Sequence, residues 1–185
     1  ILIADVSGHG AAAAVLMAVT HALAQLHPGA GCPPSELLGF LNNHLASKYT
    51  GDSGSFVTAF YGILDPARRQ LVFASAGHPY PRIVRRGEVI AVTPHGGLPL
   101  GIEQNERYPE ARIDLHPGDQ LVLFTDGITE ARNATDDLFG VERLDTLLGL
   151  SDRSAERRVE SILTAVRAFA DKRLDDDRTV VVLGV

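Results

Sequence analysis

Apolar residues at helical spacing predict helices towards both ends of the chain. The segment Ala11–His27 is apolar almost all round, which predicts a buried helix. Ser35–Lys48 has an apolar face of leucines, and Ala155–Arg173 repeats apolar residues at the same spacing. A shorter helix is expected over Leu138–Leu148. Each of the amphipathic segments has a face to bury against another element.

Short apolar runs separated by turn residues predict strands between these helices. Ile1–Ala4 is apolar throughout, and we expect it to have a neighbouring strand on each side in the full protein. Without a strand from upstream, one neighbour is lost and an apolar edge is exposed. Arg86-Gly87 between two apolar runs indicates a hairpin, and Pro117-Gly118 indicates a further turn. The order of elements predicts one domain of the α+β class, with sheets that pack on each other under a cover of helices. The other strands are expected over Phe56–Leu64, Gln70–Ala76, Pro81–Arg85, Val89–Val92, Ala111–Leu115, Gln120–Thr125 and Thr179–Val185.

Composition and charge exclude several classes of protein. The formal net charge is −6 over 185 residues, and no run of Lys or Arg could neutralise several phosphates, which argues against nucleic-acid binding. No apolar run reaches the roughly 18 residues of a membrane-spanning helix. Cys32 is the only cysteine, which excludes an internal disulfide. Because the chain opens inside a predicted buried strand, we expect residues upstream of Ile1 in the full protein.

Three aspartates occupy the same kind of position, where a predicted strand meets a loop. Asp5 ends the first strand, Asp126 follows Gln120–Thr125, and Asp176 lies just before the last strand. If these strand ends converge, the carboxylates repel by roughly 4 kcal/mol per pair at ~4 Å, and divalent cations would relieve that repulsion. Oxygen ligands suit Mg²⁺ or Mn²⁺. The alternative is that each aspartate is a turn or capping residue, since Asp-Gly is a common turn dipeptide.

Six short segments resemble, in order, the motifs of the SpoIIE/RsbU-like branch of the PPM (protein phosphatase 2C) superfamily. They include an Asp-x-x-Gly-His-Gly motif, an Ala-Gly-His-Pro motif and an Asp-Gly motif after a strand. Each motif alone is weak, but the ordered set spans essentially the whole chain. The segments are Ala4–Gly10, Ala76–Pro79, Leu98–Gly101, Leu115–Asp119, Phe124–Ala131 and Asp176–Thr179.

The resemblance implies a PPM-type phosphatase fold and a metal centre. The fold would be a β-sandwich of two mainly antiparallel sheets flanked by helices, here lacking its N-terminal strand or strands. The centre would hold two Mn²⁺ or Mg²⁺ ions. By analogy, Asp5 bridges both ions and the backbone carbonyl of Val6 binds one of them. Asp126 and Asp176 hold the other ion, and Asp177 supports the ligands without binding metal itself.

The resemblance also draws attention to residues on the phosphate side of the centre. Gly8 and His9 precede the first predicted helix, whose N-terminus favours anions, and Gly127 follows Asp126. His78 in the Ala-Gly-His-Pro motif could protonate the leaving seryl oxygen or orient a water. Alternatively, His78 belongs to a structural turn and its ring is satisfied by the backbone.

The function implied by the resemblance is a cytoplasmic bacterial phosphatase that acts on phosphoserine or phosphothreonine. Its expected substrate is a phosphorylated STAS-type anti-sigma-factor antagonist, in a pathway of sigma-factor regulation. We expect an N-terminal sensory domain in the full protein, and a homodimer is an open alternative. Members of the family carry a further acidic residue before the first motif, which this chain does not contain. The rival interpretation is therefore a pseudophosphatase that binds partners without turnover.

Overall fold

Two compact units make up the part of the chain that the structure describes. The first unit comprises Ile1–His78 with Thr93–Asp114, and the second comprises Pro79–Val92 with Leu115–Val185. Each unit contains one four-stranded antiparallel sheet and its own helices, which confirms the predicted α+β class. The computed structural model describes residues 1–27, 31–51, 54–93, 96–150, 154–171 and 177–185.

The order of elements along the chain is the predicted one, with one added turn of helix after the seventh strand. None of the helices in the described ranges is long and apolar enough to cross a membrane. In chain order the elements are β1 (Leu2–Val6), α1 (Ala11–Leu26), α2 (Pro34–Lys48), β2 (Val57–Asp65), β3 (Gln70–Ala76), β4 (Arg82–Arg85), β5 (Glu88–Ala91), β6 (Ala111–Asp114), β7 (Gln120–Phe124), α3 (Asp126–Thr129), α4 (Gly140–Gly149), α5 (Ala155–Phe169) and β8 (Val180–Gly184).

The core of the first unit lies between α2 and one face of its sheet, in which the strand order is β1-β2-β3-β6. The predicted apolar face of α2 is confirmed, because its four leucines are almost fully buried. They contact alternate residues of β2 and β3, as expected from the two-residue period of a strand. These leucines are Leu37, Leu38, Leu41 and Leu45.

One sequence-based expectation for the first unit is wrong. Helix α1 is not buried: only Leu16 and Thr20 are, while Val15 is 64% and Leu26 73% exposed. Apolar composition predicts a capacity for burial, whereas the position of an element decides how much of it is covered. Within the described residues, strand β1 pairs with β2 alone and forms an edge of the sheet. Its expected second neighbour, a strand upstream of Ile1, stays a prediction.

The second unit packs α4 and α5 against a sheet with the strand order β5-β4-β7-β8. The hairpin predicted at Arg86-Gly87 joins β4 to β5, and both turn residues have positive φ, as a two-residue type I′ turn requires. Ile162 and Val166 of α5 are fully buried in the core of this unit, as their spacing predicted.

Two boundaries in the second unit differ from prediction. Helix α5 ends at Phe169, and its expected continuation to Arg173 lies partly outside the described residues. The last strand, expected over Thr179–Val185, spans Val180–Gly184, and its residues are at most half-buried because β8 is an edge strand. Its pairing with β7 alone leaves its other side without a neighbouring strand in the described chain.

Candidate metal centre

Asp5 lies on β1, on the face of the sheet opposite the helices. Ala4 and Val6 contact the hydrophobic core, so the alternation of a strand directs Asp5 to the other face. Its direct partner across the sheet is Thr58 on β2. The Asp5 side chain is half-buried. Asp5 lies within β1, which continues to Val6, beyond the predicted end of the strand at Ala4. A carboxylate on an otherwise buried sheet face needs polar or cationic partners there.

The chain after Asp5 turns sharply before α1. Ser7 is fixed to β2, because its amide donates to the Phe56 carbonyl at 2.9 Å and its Oγ accepts from the Phe56 amide at 2.8 Å. Gly8 and Gly10 have φ values of +84° and +83°, a region that favours glycine. His9 between them is exposed, immediately ahead of the N-terminus of α1. This turn presents an exposed imidazole at a helix end.

His78 lies on the same side of the first sheet as Asp5. Its imidazole is 3% exposed, and its Nδ1 is 3.0 Å from the Oγ1 of Thr58, the residue directly opposite Asp5. Gly77 precedes it with φ of +64°, and a Cβ there would lie 2.6 Å from Cγ of Pro99. The Ala-Gly-His-Pro motif therefore has a structural requirement for its glycine and holds the histidine ring against Thr58.

Asp126 begins the one-turn helix α3 at the end of β7. The preceding residue, Thr125, is tied to the start of β8: its amide donates to the Thr179 carbonyl at 3.1 Å, and its Oγ1 accepts from the Thr179 amide at 3.0 Å. The Asp126 carbonyl accepts from the Glu130 amide. The Asp126 carboxylate is half-buried and has no hydrogen-bond or ion-pair partner among the described residues.

Gly127 brings the segment before β8 against α3. The carbonyl oxygen of Asp177 lies so close to Gly127 that a Cβ at this position would overlap it. The Oγ1 of Thr125 donates to the same carbonyl at 3.3 Å. Asp126 and the Asp177 backbone are therefore neighbours at one end of the second sheet. Asp176, the third predicted acid, lies outside the described residues.

The structure thus forms two local groups of predicted site residues. In the first unit Asp5 and His78 both adjoin Thr58, and in the second Asp126 adjoins Asp177. Within the described ranges, no group of three or more His, Cys, Asp or Glu side chains could hold a metal ion. Since Asp176 is not among those residues, a single centre built from Asp5, the Val6 carbonyl, Asp126 and Asp176 stays a prediction.

The predicted metal ligands among the described residues carry oxygen donors that suit a divalent cation. Both Asp5 and Asp126 are half-buried carboxylates at the end of a strand, and oxygen donors of this kind suit Mg²⁺ or Mn²⁺. A half-buried carboxylate such as Asp126, which no donor in the described chain contacts, is stabilised when a cation binds it.

Two residues that matter for this geometry were missed from the sequence. Thr58 lies in the predicted strand Phe56–Leu64 and Thr125 ends the predicted strand Gln120–Thr125, and neither position was predicted to belong to the site. The available signal was a polar Thr58 within a largely apolar strand. Its contact with His78 depends on the register between β1, β2 and β3, which single-sequence patterns do not specify.

The chain is similar in sequence to a known protein family over its whole length. Residues 1–185 match the family model described as stage II sporulation protein E (SpoIIE). Phosphoserine phosphatase RsbU of Bacillus subtilis (strain 168) is 34% identical over 187 residues, covering 99% of this chain and 54% of that protein. The chain therefore spans about half the length of this curated relative.

Solved structures share the fold at lower identity. The SiaA PP2C domain of Pseudomonas aeruginosa superposes with a TM-score of 0.84 and 22% identity, over 100% of this chain and 74% of that one. RsbX, solved in complex with magnesium, superposes with a TM-score of 0.69 and 19% identity, over 98% of this chain and 78% of that one. These matches confirm the predicted PP2C-type fold.

Proposed function

The chain belongs to the SpoIIE family, and from that premise we propose that it is a metal-dependent phosphatase acting on phosphoserine or phosphothreonine in proteins. The observation that carries the proposal is the acidic end of the second sheet, defined by Asp126 and Asp177. There, a half-buried carboxylate without a cationic partner in the described chain follows a strand, beside a second acid. A half-buried carboxylate of this kind fits the role of a ligand for a divalent cation better than the alternative role of a turn or capping residue.

The residues proposed to hold the metal are Asp5, the Val6 carbonyl, Asp126 and Asp176, for two Mn²⁺ or Mg²⁺ ions. When bound, such ions supply Lewis acidity and lower the pKa of a coordinated water, which provides a nucleophile at neutral pH. Support for a divalent ion comes from the magnesium in the RsbX structure. The contribution of this chain is to fix its carboxylates on the strands β1 and β7 rather than on long loops.

Gly8, His9, Gly127 and Asp177 are proposed to shape the phosphate side of the centre. The exposed His9 precedes the N-terminus of α1, where the helix dipole favours an anion. Gly127 lets the Asp177 backbone approach α3, and this contact sets the position of Asp126 beside it. Asp177 therefore acts on the position of the ligands and not as a ligand itself.

His78 has two proposed roles, between which kinetics can decide. Hydrolysis breaks the bond between phosphorus and the seryl oxygen, and the departing oxygen needs a proton. An imidazole held by Thr58 could deliver it through Nε2, since the contact with Thr58 uses Nδ1. In the structural alternative, the ring, which is 3% exposed, only stabilises the end of β3.

The whole protein's substrate and partners are proposals by analogy with its relatives. We propose a phosphorylated STAS-type anti-sigma-factor antagonist as substrate, because the related RsbU is a phosphoserine phosphatase. A fused sensory domain, a cytoplasmic location and a possible homodimeric state belong to the same proposal. RsbU extends well beyond the region it shares with this chain, which is consistent with further domains in the full protein.

The direct test is hydrolysis of a phosphoseryl protein and of p-nitrophenyl phosphate with no metal, with Mg²⁺ and with Mn²⁺. We expect metal-dependent turnover that Asp126→Asn reduces by roughly a hundredfold or more, because one ligand carboxylate is lost. Glu160→Gln is the matched control, since Glu160 is an exposed carboxylate on α5 without an ion pair in the described chain. Metal binding without turnover, in this chain and in the full-length protein, would favour the pseudophosphatase.

The role of His78 is tested by comparing two leaving groups. If His78 protonates the seryl oxygen, His78→Ala slows a phosphoseryl substrate by roughly a hundredfold and p-nitrophenyl phosphate far less, because nitrophenolate departs without a proton. Thr58→Val, which removes the hydroxyl beside Nδ1, should reproduce the same selectivity more weakly. Equal losses on both substrates would support the structural alternative.

A further inference from the structure

Arg178 lies at the acidic end of the second sheet, between Asp177 and the last strand. Its neighbours on both sides are bonded to Thr125, the residue before Asp126. The Thr125 Oγ1 donates to the Asp177 carbonyl at 3.3 Å and accepts from the Thr179 amide at 3.0 Å. Because Thr125 is itself buried, these bonds fix the backbone of Arg178 beside the end of β7.

The side chain of Arg178 lies alongside Gly127, the next residue in the chain after Asp126. A Cβ at Gly127 would lie 3.6 Å from the Cγ of Arg178, which is an ordinary van der Waals separation. The apolar stem of the arginine therefore covers this glycine, and the residue as a whole is half-buried. The guanidinium lies beyond that carbon, in the neighbourhood of the proposed metal ligand.

The Nε of Arg178 distinguishes it from the other arginines of the second unit. This nitrogen is buried, and it has no hydrogen-bond partner in the described part of the chain. The other described arginines of this unit that are at least half-buried each donate from Nε to a side chain on another segment. Those three are Arg82, Arg85 and Arg158. A buried donor without an acceptor is destabilising and is expected where a bound group completes its bonding.

The charge of Arg178 is not neutralised by the acid beside which it lies. Across the described ranges, Arg178 forms no ion pair with Asp126 or with another residue. A guanidinium stays protonated at every pH at which the protein is folded, so the positive charge is permanent. The acidic end therefore combines a carboxylate that suits a cation with a fixed cation whose donors suit an anion.

We propose that Arg178 binds the phosphoryl oxygens of the substrate, alongside the metal ions. This inference rests on the proposed function, in which a phosphate group must reach the acidic end. A phosphoserine carries up to two negative charges at neutral pH, and carboxylates repel such an anion. The planar guanidinium offsets part of that repulsion, and its paired donors match two phosphate oxygens. Arg178 is thus a substrate-binding residue and takes no part in proton transfer.

The test measures phosphate binding without turnover. Inorganic phosphate, which has the same oxygens as the substrate group, is added to this chain with Mg²⁺ present and ionic strength held constant. The readout is the rise in Tm that phosphate causes. We expect a saturable rise for the wild type, and an apparent Kd for phosphate roughly tenfold higher in Arg178→Met, the loss expected for one charged hydrogen bond. Methionine keeps an unbranched stem over Gly127 but removes the charge and the donors.

Matched variants separate phosphate binding from a general effect of charge. Arg157→Met is the control, because Arg157 is an exposed arginine of the same unit, on α5, and should leave the phosphate Kd unchanged. Arg178→Lys keeps the charge but loses the paired donors, so its Kd should be intermediate. In the competing explanation Arg178 only offsets the charge of nearby acids. Arg178→Met would then strengthen Mg²⁺ binding and leave the phosphate Kd unchanged, which would overturn the proposal.

Kinetics distinguish a failure of this inference from a failure of the proposed function. With p-nitrophenyl phosphate, Arg178→Met should raise KM and the inhibition constant of inorganic phosphate by the same factor, roughly tenfold. A higher KM for the phosphoprotein alone would mean that Arg178 contacts the polypeptide, and would overturn the proposal, as would a wild-type Tm that phosphate leaves unmoved. An active wild type with an unchanged phosphate constant in Arg178→Met contradicts this inference alone. A wild type without metal-dependent turnover contradicts the proposed function.

Discussion

The two ends of the second sheet hold their carboxylates in opposite ways. At the acidic end, the Asp126 carboxylate has no partner in the described chain, and Gly127 lets the Asp177 backbone lie beside it. At the opposite end, Asp119 is almost fully buried and is paired with Arg85 through two bonds. Asp119 thus has its cation within the chain, whereas Asp126 is a proposed ligand for a cation from outside.

This difference shows that position on a sheet does not by itself decide the role of an acid. Asp119 and Asp126 flank the same strand, β7, and both belong to motifs of the family. The neighbouring residues decide the role: a guanidinium contacts Asp119 and makes it a structural residue, whereas no guanidinium in the described part of the chain forms an ion pair with Asp126, which is a candidate ligand. Variants at the two ends should accordingly affect different properties, stability at one end and metal-dependent activity at the other.

The largest expected effect is on stability, from Asp119→Asn. Asp119→Asn removes the charge of an almost fully buried carboxylate that accepts from Arg85 and from the His116 amide, and we expect the free energy of unfolding to fall by about 2–4 kcal/mol. Urea denaturation measures it. Asp136→Asn is the control, because the Arg132–Asp136 pair is exposed and should contribute less than about 1 kcal/mol. Similar losses in both variants would contradict the structural role of Asp119.

A smaller effect, on activity, is expected from Gly127→Ala at the acidic end. The added Cβ overlaps the Asp177 carbonyl, so the backbone beside Asp126 must shift, and we expect metal-dependent hydrolysis to fall roughly tenfold or more. Gly184→Ala is matched to it on the same sheet, since a Cβ there meets nothing within 4 Å. If both variants keep full activity, the position of Asp177 has no part in the site.

The smallest effect concerns acid pH. Burial by itself raises the pKa of Asp119, but the bonds from Arg85 and His116 outweigh it and hold the folded-state pKa below its ordinary value. The stabilisation is therefore complete above the unfolded value of about 4 and is lost as pH falls through the folded pKa. The stability difference between wild type and Asp119→Asn should therefore be constant near neutral pH and narrow below about pH 4. Urea denaturation over a pH series measures this difference. A stability difference between the two proteins that widens on acidification would contradict the expected lowering of the Asp119 pKa in the folded state.

The sequence predicts local structure well where one pattern acts alone. The leucine face of α2, the Arg86-Gly87 hairpin and the strand-end position of Asp126 were each predicted from neighbouring residues. Predictions failed where distant parts of the chain decide. The exposure of α1 depends on what packs beside it, which its own apolar residues do not specify.

The functional contacts that were missed share that dependence on distant segments. The bond between Thr58 and His78 follows from the register of β2 and β3, which no short pattern encodes. The pair between Arg85 and Asp119 was missed for a similar reason. Arg85 ends β4 and Asp119 precedes β7, 34 residues later in the sequence, so no short pattern predicts their contact.

The measurement that tests the central claim most directly is thermal unfolding with and without millimolar Mn²⁺. A cation that binds only the folded state at a hundred times its Kd adds about 2.7 kcal/mol, which raises the Tm of a chain of this length by roughly 5–10 °C. We predict that rise for the wild type, the same rise for Glu160→Gln, and the loss of most of it in Asp126→Asn. A wild-type melting curve that Mn²⁺ leaves unmoved would contradict a metal centre at the acidic end.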